Sequence, residues 1–254
     1  MIVKMDKETE ELLKWLEGEL GEITTGFGEW NLEYFRTQRL RFASDLDIIK
    51  RHYQGGEILE VGSVPCHMTV LLKKLGYPVV GLDPRPESST HLINKFGLDI
   101  RRCDIEKEPL PFEDSSFGFV LFTEVFEHLR IDPIFTMSEL RRVLKDDGRI
   151  IVSTPNLYAS KMIVRFILGR GLFSPYEQFH MLSTHGFMGH VREYSPAEMR
   201  EFMERTGFRV EEHLFRTYKQ YGPLKALIYG MLRKLRQFQV LVCSKAQPKD
   251  APSP

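Results

Sequence analysis

Two short apolar runs end in groups that bind ligands. Residues 57–62 read EILEVG and residues 78–83 read PVVGLD, so Glu60, Gly62 and Asp83 stand at the ends of consecutive strands. A glycine there lets a ligand approach the backbone, and a carboxylate ending the second strand accepts hydrogen bonds from ribose hydroxyls. The pair suits an adenosine-containing cofactor. A third apolar run ends in Thr123-Glu124-Val125-Phe126-Glu127-His128. His128, with an intrinsic pKa near neutrality, suits proton transfer.

These residues need a scaffold that brings strand ends to one edge. From residue 56 onward apolar runs alternate with amphipathic stretches, the pattern of βαβ units and a parallel sheet. Strands are expected at 57–62, 78–83, 98–103, 117–123 and 148–154, with helices near 66–75, 87–96 and 132–145. Lys145-Asp146-Asp147-Gly148 reads as a basic last turn and a glycine stop for the last of these helices. Before the sheet, residues 6–20 carry Leu12, Leu13, Leu16 and Leu20 at helical spacing; a break at 24–28 precedes a second helical stretch to about Tyr53. After Asn156 comes an aromatic, histidine-rich insert. Ser195-Pro196-Ala197-Glu198 then opens a helix with a capping box. The strand FRVEEHLF, a helix over 224–236, a strand over 238–244 and a polar tail complete the chain.

The bulk properties exclude several classes. The 254 residues include 42% hydrophobic and 28% charged residues, ordinary for a globular protein with a sizeable core. Lys and Arg total 35 against 35 Asp and Glu, so net charge is zero and nothing global points to nucleic acid. Cys66, Cys103 and Cys243 are too few for a disulfide framework, in keeping with a reducing compartment. The first twenty residues lack the apolar centre of a signal peptide. No apolar run reaches the roughly 20 residues that span a bilayer. The expectation is a soluble, cytoplasmic protein.

In order, the segments ILEVGS, VVGLDP, CDIEKEPLPFEDSSFGFVLFTEVFEHL, ELRRVLKDDGRIIVSTPN and GHVREYSPAEMREFMERTGF resemble the class I S-adenosylmethionine (SAM) methyltransferases. The likeness is greatest to the subgroup of ubiquinone-pathway O-methyltransferases and glycan methylators. The resemblance implies a Rossmann-like, doubly wound α/β sheet of seven strands in the order 3-2-1-4-5-7-6, the last antiparallel. It also implies one domain: a helical arm (1–55), a SAM-binding core (56–156), a substrate-lid insert (157–190), the rest of the sheet (191–246) and a tail (247–254). SAM would lie on Glu60, Gly62, Ser63, Asp83, Pro84, Asp104, Ile105, Thr123 and Glu124. Asp83 would hold the ribose, and Asp104 the adenine amino group beside Ile105. The chain departs from the family's G-x-G-x-G at Gly62-Ser63-Val64-Pro65-Cys66, so the loop must take a different backbone path. A nicotinamide cofactor would want G-x-G-x-x-G, which is absent, and Tyr158 and Lys161 are one residue too close for Tyr-x-x-x-Lys.

Methyl transfer to oxygen needs alignment of the acceptor and a proton sink. His128, His190 and Tyr194 are the expected catalytic residues, the last two from GHVREYS beyond strand five. No metal is required. The alternative is a divalent ion on Glu124, Glu127, His128 and His190, as in related RNA 2′-O-methyltransferases. A third possibility is a SAM-binding regulatory protein without catalysis, suggested by the altered glycine loop. In the arm, Tyr34, Arg36, Arg39 and Arg41 could cover the cofactor. The acceptor is expected to be a small molecule or a glycan or lipid-linked precursor. Basic amphipathic stretches around Lys161, Arg165 and residues 224–236 allow peripheral membrane contact or a homodimer.

Overall fold

A computed structural model describes residues 5–23, 28–185, 188–218 and 230–246. The strands are β1 (Glu57–Val61), β2 (Val79–Asp83), β3 (Ile100–Arg102), β4 (Phe117–Thr123), β5 (Leu144–Pro155), β6 (Phe208–Arg216) and β7 (Phe238–Lys245). They form one sheet in the order β3-β2-β1-β4-β5-β7-β6, the order expected from the sequence. β1 runs parallel to β2 and β4, whereas β7 is antiparallel to both β5 and β6. The described helices are α1 (Lys7–Gly21), α2 (Gly28–His52), α3 (His67–Lys74), α4 (Thr90–Phe96), α5 (Pro133–Val143), α6 (Ser160–Ile167), α7 (Pro175–His185) and α8 (Pro196–Arg205). By compactness the described residues divide into two units, those within 5–121 and 142–149, and those within 122–141 and 150–246.

In the first unit the core forms where apolar strands meet apolar helix faces. Ile58, Leu59 and Val61 of β1, with Val80 and Leu82 of β2, are almost wholly buried. Each such side chain contributes about 1.5–3 kcal/mol over remaining in water. Asp6 caps α1 by accepting from the Thr9 N–H at 2.7 Å, and the leucines at 12, 13, 16 and 20 are buried as their spacing predicts. Arg36 and Arg39 of α2 both reach Glu17 of α1 at 2.7 Å.

Two expectations are corrected. Helix α5 ends at Val143, and Lys145–Gly148 lies within β5 rather than in a helix stop. Gly148 is needed for closeness: a Cβ there would lie 2.7 Å from Leu144 Cδ1 and 3.0 Å from the Gly118 carbonyl oxygen. The helix expected over 224–236 falls partly on 219–229, outside the described residues, and its described end is a 3-10 turn at Arg233–Leu235. Of the break expected at 24–28, residues 24–27 lie outside the described residues, as does the tail from 247, and Gly28 opens α2.

In the second unit β7 pairs with β5, Ile151 facing Val242, and with β6, where a bulge follows Val210. Ser195 and Glu198 make the expected capping box on α8, which buries Met199 and Met203. Asn156, fully buried, donates through Nδ2 to the carbonyls of Lys234 and Arg236, both at 2.8 Å. The insert contributes α6 and α7.

Candidate functional site

The end of β1 and the loop after it carry the first group of site residues. Gly62 leaves the strand at φ 71°, a conformation open to glycine. The N–H groups of Gly62 and Ser63 donate to the Leu82 carbonyl at 2.8 and 3.1 Å, which ties the loop to β2. Val64 and Pro65 are joined by a cis bond, and the left-handed conformation falls on Cys66, at φ 69°. The altered loop thus places its positive φ values at 62 and 66 and spares Val64. Asp83 is the anchor: its Oδ2 accepts from the Val64 N–H at 3.1 Å and its Oδ1 from the Arg85 N–H at 2.9 Å. Burial pushes its pKa up, against the pull of these two N–H groups. A carboxylate has about four acceptor positions, so the loop leaves capacity on each oxygen. Ser63 Oγ, in a residue only 2% exposed, has no partner among the described residues.

Glu60 lies behind this loop and is 7% exposed. Its Oε2 accepts a short hydrogen bond from the Thr69 hydroxyl of α3. Burial pushes its pKa from 4.5 to about 8; Thr69 and Arg41 pull the other way, while Asp45 and Asp83 add to the rise. Arg41 and Asp45 come from α2, both buried. Of the arm residues considered for cofactor contact, Arg36 and Arg39 turn to Glu17, Tyr34 accepts from Arg41 at 3.1 Å, and Arg41 lies nearest Glu60's electrostatic surroundings. His67 is ringed by Tyr34, Phe35 and Phe42, and burial pushes its pKa down to about 3.

At the exit of β3, Asp104 is held by its own turn. Its Oδ2 accepts from Lys107 Nζ at 2.7 Å and its Oδ1 from the Glu106 N–H at 3.3 Å. Lys107 is exposed, so this pair is weak and can yield to a ligand. Ile105 is half-buried beside it. The Pro84 carbonyl accepts from Arg102 at 3.0 Å.

The second unit holds the other group. Glu124, just past Thr123, sits at φ 58°. Its N–H donates to the Ser153 carbonyl at 2.9 Å, and Ser153 Oγ donates to its Oε1 at 2.7 Å. Two residues on, a 3-10 turn at Phe126–His128 meets the 189–192 segment: the Val191 N–H donates to the Glu127 carbonyl at 2.8 Å. His128 Nδ1 donates to the Gly189 carbonyl at 2.8 Å, which leaves the lone pair of the neutral ring on Nε2. Burial and, more weakly, His190 push its pKa down, against the Gly189 bond. The two imidazole centroids are 5.0 Å apart. Glu127 Oε1 lies 3.8 Å from His190 Nε2, and Glu193 Oε1 lies 3.7 Å from His190 Nδ1. Gln178 of α7 donates to the His190 carbonyl at 2.6 Å, so the insert braces this histidine.

Of the predicted residues, Glu127, His128 and His190 come together, with ligand atoms within 4.8 Å of one another. Glu124 turns to Ser153 instead. Tyr194 packs on Phe126, which in turn packs on Phe202 of α8, and Tyr194 lines a cavity of about 420 Å³ with Arg192, Ile134 and Glu201. Arg192 pairs with Glu198 at 2.5 Å. Sequence reasoning missed Glu193, which is 5% exposed. A lone acid in a polar loop has no periodicity to reveal burial; only its place three residues after His190 hinted at it.

The methyltransferase-domain family matches residues 27–213. A Mycolicibacterium smegmatis protein described as "Probable S-adenosylmethionine-dependent methyltransferase" is 32% identical over 161 residues, which are 63% of this chain and 54% of that protein. The chain therefore spans about half the length of that relative. Among solved structures, a SAM-dependent methyltransferase from Archaeoglobus fulgidus shares the fold at TM-score 0.59 and 17% identity, over 82% of this chain and 94% of that one. Phosphoethanolamine N-methyltransferase 2 of Haemonchus contortus, solved with SAM, matches at TM-score 0.55 and 17% identity, over 80% of this chain and 52% of that one. With the family covering most of the sequence and the sheet in its order, the chain belongs to the SAM-dependent methyltransferase-domain family.

Proposed function

We propose that the protein transfers the methyl group of SAM to an oxygen of a small-molecule, glycan or lipid-linked acceptor, and that His128 takes the proton released. The observation that carries the proton role is the bond from His128 Nδ1 to the Gly189 carbonyl, which fixes the tautomer with the lone pair of the neutral ring on Nε2. Burial keeps that form populated at neutral pH. His190 orients the acceptor beside it, and Tyr194 lines the neighbouring wall.

Asp83, Ser63 and the Gly62 turn fit the adenosyl and amino-acid parts of SAM. Asp83 has acceptor capacity for two ribose hydroxyls, and the orphaned Ser63 hydroxyl matches a polar ligand. Asp104 and Ile105 take the adenine, with Glu60 and Pro84 at the ends of the same loops. When bound, SAM supplies an electrophilic methyl on a sulfonium. His128 Nε2 would take the proton of an acceptor hydroxyl as that oxygen is methylated.

Calorimetry with SAM and a labelled-methyl survey of lipid, sugar and RNA fractions test this reading. Binding that weakens at least tenfold in Asp83→Ala, with label in an ether or ester, is expected. Absence of SAM binding, or label on nitrogen, would overturn it. A second reading has a divalent ion on Glu127, His128 and His190, favoured by the 4.8 Å grouping of their ligand atoms. Neutral imidazole and carboxylate suit Zn²⁺ or Mn²⁺. Activity lost on chelation and restored by one ion would select it; indifference to chelator would dismiss it.

A further inference from the structure

Helix α6 has no buried residue. Val164, Ile167 and Leu168 are 54%, 79% and 65% exposed, an unusual load of aliphatic surface for two turns of helix. A second segment adds to it in the same unit: Met231 and Leu232 are 78% and 51% exposed. Asn156, four residues before α6, holds the Lys234 carbonyl at 2.8 Å, so this segment lies at the root of the insert. Residues 157–173 and 230–236 contain no Asp or Glu, but include Lys161, Arg165, Arg170, Arg233, Lys234 and Arg236. Lys161, Arg170, Arg233 and Lys234 are exposed.

We propose that α6 and the 231–235 segment dock on an anionic lipid membrane. Ile167, Leu168 and Met231 enter the apolar boundary, while Lys161, Arg170 and Lys234 meet headgroup phosphates. The charge decides the occupant. A two-fold contact with a second copy would set this patch against itself and bring like charges together. An anionic surface neutralises them, each basic residue adding about a fivefold preference. No helix among the described residues is long and apolar enough to cross a membrane, so the mode is peripheral. In a chain of net charge zero, two exposed apolar segments that carry Lys161, Arg170, Arg233 and Lys234 and no acidic residue suit such a surface. The proposal rests on the surface alone and stands apart from the methyl-transfer reading.

Vesicle co-sedimentation of the full chain without SAM tests it, using phosphatidylcholine alone and phosphatidylcholine mixed with phosphatidylglycerol. Binding to the mixed vesicles should exceed binding to the neutral ones at least about tenfold and fall with added salt. Ile167→Asp and, separately, Lys234→Glu should each weaken it, the first about tenfold or more. Circular dichroism and thermal melting of both variants should match the parent, since both side chains are exposed. No pelleting with anionic vesicles, or equal pelleting of Ile167→Asp, would overturn the proposal. So would a concentration-dependent dimer in light scattering that Ile167→Asp dissolves, which would assign the face to a second copy.

Discussion

Replacing Glu60 by Gln should stabilise the protein at neutral pH, and the gain should grow as pH rises. Glu60 is 7% exposed, and burial lifts its pKa from 4.5 to about 8. Between these values the folded protein keeps a proton that the unfolded chain releases. The native state therefore binds one proton more, and unfolding free energy falls by about 1.4 kcal/mol per pH unit as pH rises. Stability is fullest below the unfolded value, declines through the window, and levels off above about 8, a total of roughly 5 kcal/mol. Glutamine cannot ionise, and its amide oxygen can still accept from Thr69. At pH 7 the variant should exceed the parent by about 3 kcal/mol, and near pH 5 by under about 1 kcal/mol. Urea unfolding followed by circular dichroism at intervals between these pH values measures both curves, with equal m-values as the control. Parallel pH slopes, or a variant less stable at pH 7, would refute the reasoning and show that Arg41 keeps Glu60 ionised.

Three further outcomes are expected. His128→Gln should lower kcat about 10²–10⁴-fold, and the parent's rate should fall on acidification only below the ordinary histidine value of 6.5, because burial depresses the pKa; a pH–rate profile checks both. Asn156→Ala should cost about 2–4 kcal/mol in denaturant unfolding, since it leaves the Lys234 and Arg236 carbonyls without their Nδ2 donor. Ser195→Ala should cost about 1 kcal/mol by the same measurement, through loss of half the capping box on α8.

The sheet was legible because each central strand is a run of apolar residues bounded by charge or glycine, and Asp83 marks a strand end by type alone. The family blocks then supplied the strand order, which periodicity does not contain. Where local signals and pairing disagreed, pairing won: Lys145–Gly148 has the composition of a helix end, yet hydrogen bonding draws it into β5. The histidine pair was legible as residue types, but its support was not. Gln178, Gly189 and Glu193 act through a carbonyl, a backbone bend and burial, none of which has a sequence period. Likewise Glu124 looked like one more ligand in E-x-x-E-H, and only its positive φ and its bonds to Ser153 reveal a turn former.

The conformation of Cys66 bears on how such a loop can change over generations. Its left-handed backbone costs a side-chain-bearing residue roughly 1–2 kcal/mol that glycine avoids. Its thiol is fully buried and, pushed up to about 12 in pKa, inert as a nucleophile, so its worth is volume and a weak hydrogen bond with Ser89. Glycine would relieve the backbone but leave a void worth about the same. The two residues are thus near-equivalent at position 66. A lineage can exchange them without crossing the threshold below which the fold is lost, and a glycine-rich loop and this one are mutational neighbours there.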